Sequence, residues 1–500
     1  MSLAVVYSRA LAGINAPLVT VEVHVSGGLP SMSIVGLPEM AVRESKDRVR
    51  AAILNANFEF PARRITVNLA PADLPKEGGR FDLAIAIGVL AASKQLSAEK
   101  LPEYELVGEL ALGGKLRRVR GCLPTALQCA QAERSLILPP DNAPEAALAK
   151  SCKIIPANSL LQVCNHISGL HPLTYYCGEA PCLQNQYECD LSEVKGQAHA
   201  KRALELAAAG EHNLLMIGPP GTGKTMLASR LPTILPVMSE QEALETAAVM
   251  SISDEGFRFE HWAQRHYRAP HHTASAVALV GGGSTPRPGE ISLAHNGVLF
   301  LDELPEYDRR VLDVLREPME RGRIVISRAA RQAEFPARFQ MIAAMNPCPC
   351  GYYGDPKGEC RCSPDQINRY RNKISGPVLD RIDMHIRVAR LPKEQLEQND
   401  ENHAESSLSV RERVAACRQR QLDRNGIANA RMSHRQIRQF CRLDNRTQEL
   451  LSSAIEKLGL SARGYDRILK VARTIADMED DEHIQLSHVS EAIGYRTLDR

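Results

Sequence analysis

Residues 19–25 (VTVEVHV) alternate apolar and polar positions with the two-residue period of a half-buried strand, and residues 65–69 repeat it. Residues 41–56 change to the helical period, while 81–93 (FDLAIAIGVLAAS) are nearly all apolar and predict a buried helix. Short apolar runs at 106–110 and 136–138 add strands. The pattern over 1–170 is that of an α/β domain. Residues 171–190 hold Cys, Pro and Tyr without periodicity and predict a linker. A second α/β region covers 191–395. The remainder, 396–500, opens with a polar connection and becomes helical at 410–423, 433–440, 444–458, 464–478 and 486–493. The chain is therefore an α/β multidomain protein with an all-α C-terminal part.

Its 500 residues suit about two to four domains. With 61 basic and 59 acidic side chains the net charge is +2, which excludes a protein that coats nucleic acid by bulk charge but not one with a local basic path. Aromatic residues are 4%, too few for base stacking to dominate any nucleic-acid contact. The 13 cysteines, an odd count in a large chain, argue against a disulfide scaffold. No apolar run is long enough for a membrane span and no secretory leader is recognisable, so a cytoplasmic location without membrane contact is expected.

The chemistry concentrates in the second region. An apolar strand at 212–217 runs into Gly218, Pro219, Pro220, Gly221, Thr222, Gly223, Lys224 and Thr225, then into a helix from Met226. This is the G-x-x-x-x-G-K-[ST] pattern in its strand–loop–helix setting. Glycines let the loop N–H groups turn towards a phosphate, the helix N-terminus adds partial positive charge, Lys224 reaches the β and γ oxygens, and the Thr225 hydroxyl ligates Mg²⁺. A second strand, 297–301, ends in Asp302 and Glu303, a metal-holding carboxylate and a general base. A third, 341–345, ends in Asn346, an amide suited to a γ-phosphate or an attacking water.

Cys348, Cys350, Cys360 and Cys362 form C-x-C…C-x-C after the third strand, four thiolates able to close a structural Zn²⁺ site, with free thiols or a redox pair as the alternative. Between the first two strands lies a Gly-rich stretch, 271–290, with Gly281, Gly282, Gly283 and Arg287; it is expected to project as a loop. Its adjacent His271 and His272 are expected to point apart. Residues 323–328 and 333–338 predict a β-hairpin with Arg328 and Arg331 near its tip, available to phosphates or a solvated turn. Residues 411–446 contain ten arginines against three acids, either a solvated helical face or an auxiliary duplex-binding face.

The order of these elements resembles an AAA+ ATPase, with Walker A, Walker B and sensor 1. The Val194-Lys-Gly196-Gln197 stretch is similar to that family's adenine-side segment, Gly376-Pro-Val-Leu-Asp-Arg381 to its arginine-finger region, and Ser461-Ala-Arg463 to its sensor 2. Arg371, Lys373, Arg387 and Arg467 are competitors for the arginine roles. More specifically, Ala269-Pro-His-His-Thr-Ala-Ser, Asn346-Pro-Cys-Pro-Cys-Gly-Tyr-Tyr, Val67-Asn-Leu-Ala-Pro-Ala-Asp-Leu-Pro-Lys76 and Phe81-Asp-Leu-Ala-Ile-Ala look like the magnesium-chelatase-like ComM/YifB family across essentially the whole chain. The resemblance implies a Lon-protease-like (S5-like) N-terminal domain, an AAA+ P-loop core with a helix-2 insert and a pre-sensor-1 hairpin, and a helical lid carrying sensor 2. It implies ATP and Mg²⁺ as cofactors, a homohexamer, and helicase activity on single-stranded and branched or duplex DNA. That activity would serve branch migration in homologous recombination and natural transformation, alongside other recombination proteins. Residues 75–82 (PKEGGRFD) offer no hydroxyl where Lon proteases carry their nucleophilic Ser, so a proteolytic machine is disfavoured. A chelatase-like or chaperone-type motor acting on a protein or metal-insertion complex is the alternative.

Overall fold

In the computed structural model, residues 2–178, 187–283, 286–328, 331–356, 358–392 and 405–496 are described, and they divide into two compact units. The middle of the linker, most of the polar connection after 392, the tip of the hairpin and the side chains of Arg328 and Arg331 lie outside this set.

The first unit comprises residues 1–182 together with 244–262. Its seven-stranded sheet has the order Ser31–Val35, Arg64–Ala70, Leu18–Ser26, Ser2–Arg9, Tyr104–Leu106, Ser135–Leu138, Lys153–Pro156. Alternation places Val19, Val21, Val23 and Val25 in the core, as the period-two pattern requires. Helix Asp82–Ala92 is buried along its whole length, which is why its sequence shows no polar stripe. It lies so close to the sheet that a Cβ on Gly88 would stand 2.5 Å from Val23 Cγ2. The apolar run at 106–110 is not one strand: Tyr104–Leu106 joins the main sheet and Glu109–Leu110 forms a separate ladder. The break falls at Gly108, where a Cβ would strike Leu116 Cδ2 at 2.4 Å.

Residues 244–262 belong here because a buried acid, a backbone amide and an arginine of this unit find partners in them. The Ser251 carbonyl accepts from the Gly121 N–H at 3.0 Å, the Ser251 hydroxyl donates to buried Glu145, and Asp254 pairs with Arg120 at 2.6 Å.

The second unit is built on a five-stranded parallel sheet of order Tyr267–Arg268, Val298–Leu301, Gln340–Met345, Leu214–Ile217, Met384–Arg387. The three central strands are fully buried, and their near-continuous apolar sequences are those of a sheet covered on both faces. Parallel strands bring every C-terminal end to one edge, where α/β ligand sites form. Helices Ser407–Asn425, His434–Phe440, Asn445–Leu458, Ala462–Met478 and Leu486–Gly494 make the C-terminal part. Four of the five have a Ser or Asp N-cap that accepts from a first-turn amide.

The ten arginines of residues 411–446 are neither a uniformly solvated face nor wholly available to a ligand. Arg411 donates to the Thr233 carbonyl, Arg413 pairs with Glu205 and Glu405, and Arg418 and Arg431 both hold Glu211. Arg420 pairs with Asp480 and Arg424 with Asp477. These six clamp helices to one another and to the sheet unit. Among the described residues, no helix is long and apolar enough to cross a membrane.

Candidate nucleotide site

The strand Leu214–Ile217 delivers the phosphate loop, and helix Lys224–Ile234 begins at its lysine. Gly218 is required sterically, since a Cβ there would lie 2.2 Å from the Val388 carbonyl oxygen. Gly221 and Gly223 hold φ of +75° and +85°, the left-handed region that favours glycine. Gly196 and Gln197 are also left-handed, and the Gln197 amide donates to the carbonyls of Ala389 at 2.8 Å and Thr222 at 3.4 Å, bringing this segment against the loop.

Three strand ends meet there. Lys224 Nζ donates to the Gly218 and Pro219 carbonyls at 2.7 and 2.9 Å and to Asn346 Oδ1 at 3.3 Å. Burial lowers the Lys224 pKa, with Asp302 and Glu303 pulling it back up. Thr225 Oγ1 donates to Asp302 Oδ2 at 2.8 Å, so hydroxyl and carboxylate face one point, as shared ligation of a divalent cation requires. Asp302 Oδ1 accepts from the Glu303 N–H at 2.9 Å. Glu303 itself has φ of +50°, and its Oε2 lies 3.2 Å from His272 Nδ1. A cleft of about 520 Å³ opens beside them, lined by Thr225, Met226, Tyr267, His272, Asp302 and Glu303 among others.

His272 corrects an expectation. The adjacent His271 and His272 do not diverge: the turn at 272–273 brings their rings to 4.1 Å between centroids. Nor is the stretch 271–290 a bare loop, since it contains helix Ala276–Val280, a ladder pairing Gly281–Gly282 with Arg287–Pro288, and helix Glu290–Leu293. The hairpin strands Arg323–Arg328 and Arg331–Pro336 pair with Arg328 opposite Arg331. A Cβ on Gly281 would come within 2.9 Å of Ile326 Cδ1, so the hairpin touches the glycine segment there.

Arg381 is buried, donates to the Pro377 carbonyl at 2.6 Å and pairs with Glu320 Oε1 at 2.6 Å. Arg463, on an exposed helix start, approaches the same Glu320 oxygen at 3.9 Å. Burial lowers the Arg381 pKa; Glu320 opposes this, and the neighbouring Arg463, Arg316 and Arg467 reinforce it. Of the competing cations, Lys373 pairs with Glu306 at 3.1 Å, Arg371 lies over Tyr353, and Arg467 donates to the Asp380 carbonyl at 2.6 Å and holds Asp383. Arg467 thereby ties the Arg463 helix to the Arg381 segment. Glu320 carried no sequence signal, because it lies in a charged helix far from either arginine in the chain.

The four cysteines converge. Sγ separations are 3.3 Å for Cys348–Cys350, 3.8 Å for Cys348–Cys360 and 3.7 Å for Cys350–Cys360, and with Cys362 all four sulfurs lie within 4.8 Å of one another. A tetrahedral Zn²⁺ with Zn–S bonds of about 2.3 Å needs sulfurs about 3.8 Å apart, so the donor set fits. The Tyr352 amide directed at Cys350 draws that thiol down to about 6. The cysteine loop leans on the phosphate loop, where a Cβ on Gly351 would sit 2.8 Å from the Pro220 ring. A second grouping, Glu479, Asp481 and His488, does not suit a metal. His488 Nδ1 accepts from the Gln485 N–H at 2.9 Å, so Nε2 carries the proton and donates to the carboxylates.

In the first unit, Arg80 is buried and donates to Thr125 Oγ1 at 2.9 Å, while that hydroxyl donates to the Gly121 carbonyl at 2.8 Å. Buried Lys76 donates to the Pro71 carbonyl. The hydroxyl that Arg80 contacts is thus committed on both sides.

Three family models match successive parts of the chain: subunit ChlI of magnesium chelatase over residues 21–142, magnesium chelatase subunit ChlI over 190–396, and the ChlI C-terminal region over 404–496. Competence protein ComM of Haemophilus influenzae is 53% identical over 100% of this chain and 98% of its own length. YifB of Escherichia coli is 51% identical over the same shares. The 38 kDa magnesium-chelatase subunit of Cereibacter sphaeroides is 26% identical over 31% of this chain and 52% of its own. End-to-end identity at this level, on a phosphate loop whose three strand ends converge, means that the chain belongs to the ComM/YifB family of magnesium-chelatase-like AAA+ proteins.

Proposed function

We propose that the protein is an ATP-driven DNA motor, a homohexameric helicase that promotes branch migration during homologous recombination and integration of transforming DNA. ATP lies along the loop from Gly218 to Met226, its adenine side towards Gly196 and Gln197. Lys224 exchanges the Gly218 and Pro219 carbonyls for phosphate oxygens. Thr225 and Asp302 hold the Mg²⁺ that neutralises charge on the β and γ phosphates. Glu303 polarises the attacking water and Asn346 orients it. Arg381 reaches the neighbouring subunit's γ-phosphate, and Arg463 of the lid acts as sensor 2 on the γ-phosphate; guanidinium forks suit charge spread over three oxygens.

The observation that carries the ATPase reading is the convergence of Lys224, Thr225, Asp302 and Asn346. The DNA reading is supported by a full-length relative named as a competence protein and by the contact between the Gly281 segment and the 323–336 hairpin. In this reading Gly281, Gly282, Gly283, Arg287, Arg328 and Arg331 face DNA in the pore. Cys348, Cys350, Cys360 and Cys362 hold a structural Zn²⁺ that braces the phosphate loop. The first unit is a non-proteolytic, Lon-like collar.

ATPase activity measured with and without forked DNA, together with strand displacement on a labelled fork, tests the proposal. DNA stimulation and displacement that both vanish in Lys224→Ala are expected; activity indifferent to DNA would overturn it. The family models are named for magnesium chelatase, which favours as second reading a motor that remodels a protein or metal-insertion complex. Such a motor hydrolyses ATP without displacing strands.

A further inference from the structure

The structure separates the ten arginines of residues 411–446 into two sets. Six are spent on internal carboxylates and carbonyls, as described above. The other four, Arg435, Arg438, Arg442 and Arg446, are exposed and make no ion pair or hydrogen bond among the described residues. They fall on helix His434–Phe440, the turn after it and the first turn of helix Asn445–Leu458. Arg435 and Arg438 are three residues apart on the same helical face, opposite buried Ile437.

The acids that could quench this patch are occupied or few. Asp444 caps the second helix, its Oδ1 accepting from the Thr447 N–H at 2.8 Å, and Asp466 is engaged by His434 at 3.2 Å. Among the described residues from 434 to 450, Glu449 is the acid without such a partner. Arg446 also interacts with Asp444, yet four exposed guanidiniums on two successive helices and their connection suit an anionic partner with repeated charges. Phe440, the one aromatic side chain of the stretch, is half-buried beneath Arg424, so no platform for unpaired bases accompanies the charge.

We propose that Arg435, Arg438, Arg442 and Arg446 form a second DNA contact, a phosphate grip for duplex DNA outside the proposed pore loops. The patch supplies affinity and register without reading sequence, because arginines on phosphates carry no base information. It rests on the reading of the protein as a DNA motor. In such a motor, a hold on the duplex arm resists slippage while the pore loops reset.

The test compares wild-type protein with the variant R435A/R438A/R442A/R446A on a labelled blunt duplex and on a single-stranded oligonucleotide of equal length, across a salt series. Each lost duplex phosphate contact flattens the plot of log affinity against log salt by about 0.9, so a slope shallower by roughly 2 to 4 is expected for the duplex. Single-strand affinity and DNA-free ATPase activity should stay within about twofold. Replacing the same four residues by Lys should restore most duplex affinity, because the grip needs charge rather than fork geometry. An unchanged duplex slope overturns the patch while leaving the motor reading standing. Loss of hexamers, or equal loss on both substrates, also overturns it. Wild-type protein that binds neither DNA sinks the motor reading itself.

Discussion

His272 Nδ1 lies 3.2 Å from Glu303 Oε2, so the first turn of the 271–290 segment touches the carboxylate that ends the second central strand. The contact joins the candidate base to the element whose far end carries Gly281 and packs on the hairpin. A residue in that position sets where the carboxylate points. His272→Ala should lower ATP turnover roughly 5- to 20-fold with little change in KM, within the range that orientation of a general base contributes. His272→Asn, which keeps a polar atom near the same place, should recover part of the rate. Equal kinetics in all three proteins would remove His272 from the site.

Glu303→Gln should reduce turnover by about 10²-fold or more while nucleotide still binds. Lys224→Ala should instead abolish binding of a fluorescent ATP analogue. The two variants separate chemistry from capture, and identical behaviour would contradict the roles given to them.

In the proposed hexamer Arg381 and Lys224 lie on different sides of a shared site, so variants of the two should complement. Arg381→Ala protein alone and Lys224→Ala protein alone should each hydrolyse ATP at under a tenth of the wild-type rate. Mixing them should restore measurable hydrolysis, because some interfaces then combine an intact Lys224 with a neighbour's intact Arg381. Mixtures no more active than the separate proteins would place Arg381 in its own subunit's site.

Cys360→Ser should bring bound zinc from about one ion per chain towards none by elemental analysis, because a three-thiolate remnant loses the closed tetrahedral set. Cys441→Ser, at a buried thiol away from the cluster, should leave the metal content unchanged. Nucleotide affinity should weaken in the first variant, since the cysteine loop rests on Pro220.

His212 is fully buried, bonded to Thr474 Oγ1 at 2.7 Å, and burial lowers its pKa to about 4, despite the opposing pull of Asp383. The unfolded chain takes up the proton near 6.5, so between 6.5 and 4 it binds more protons than the folded one and stability rises with pH. Acidification through this window should therefore cost on the order of 3 kcal/mol at about 1.36 kcal/mol per pH unit. Urea unfolding followed at pH 7 and pH 4 should show the loss, and His212→Asn should lessen it. A steeper pH dependence in the variant would reverse the assignment.

Much of the nucleotide site is legible in the sequence because its chemistry is local. A phosphate loop needs Gly, Lys and Thr in fixed succession, and a strand that ends in Asp302 and Glu303 announces its own polarity. The cysteine cluster is legible for the same reason, with its ligands paired two residues apart. The C-terminal helices followed from period to within about three residues, whereas the expected helix 41–56 is broken at Glu44 into Met40–Arg43 and Ser45–Asn55, and strand Ser2–Arg9 and the split at Gly108 were not legible, since short apolar runs do not reveal their partners. The arginine-rich stretch shows the limit most clearly. Sequence counts its charges but cannot tell that Arg418 and Arg431 share Glu211 or that Arg424 is held by Asp477.

What the sequence alone determined is the class of chemistry: three strands ending in phosphate- and metal-binding groups, a thiolate set, and an α/β chain with a helical end. Only the tertiary structure decided which charges are free, which carboxylate gathers Arg381 with Arg463, and that His272 meets Glu303. The physical reason is that residue type and spacing specify what a group can do. Its partner is chosen by packing between segments distant in the chain, where burial makes an unpaired charge costly and thus dictates who pairs with whom.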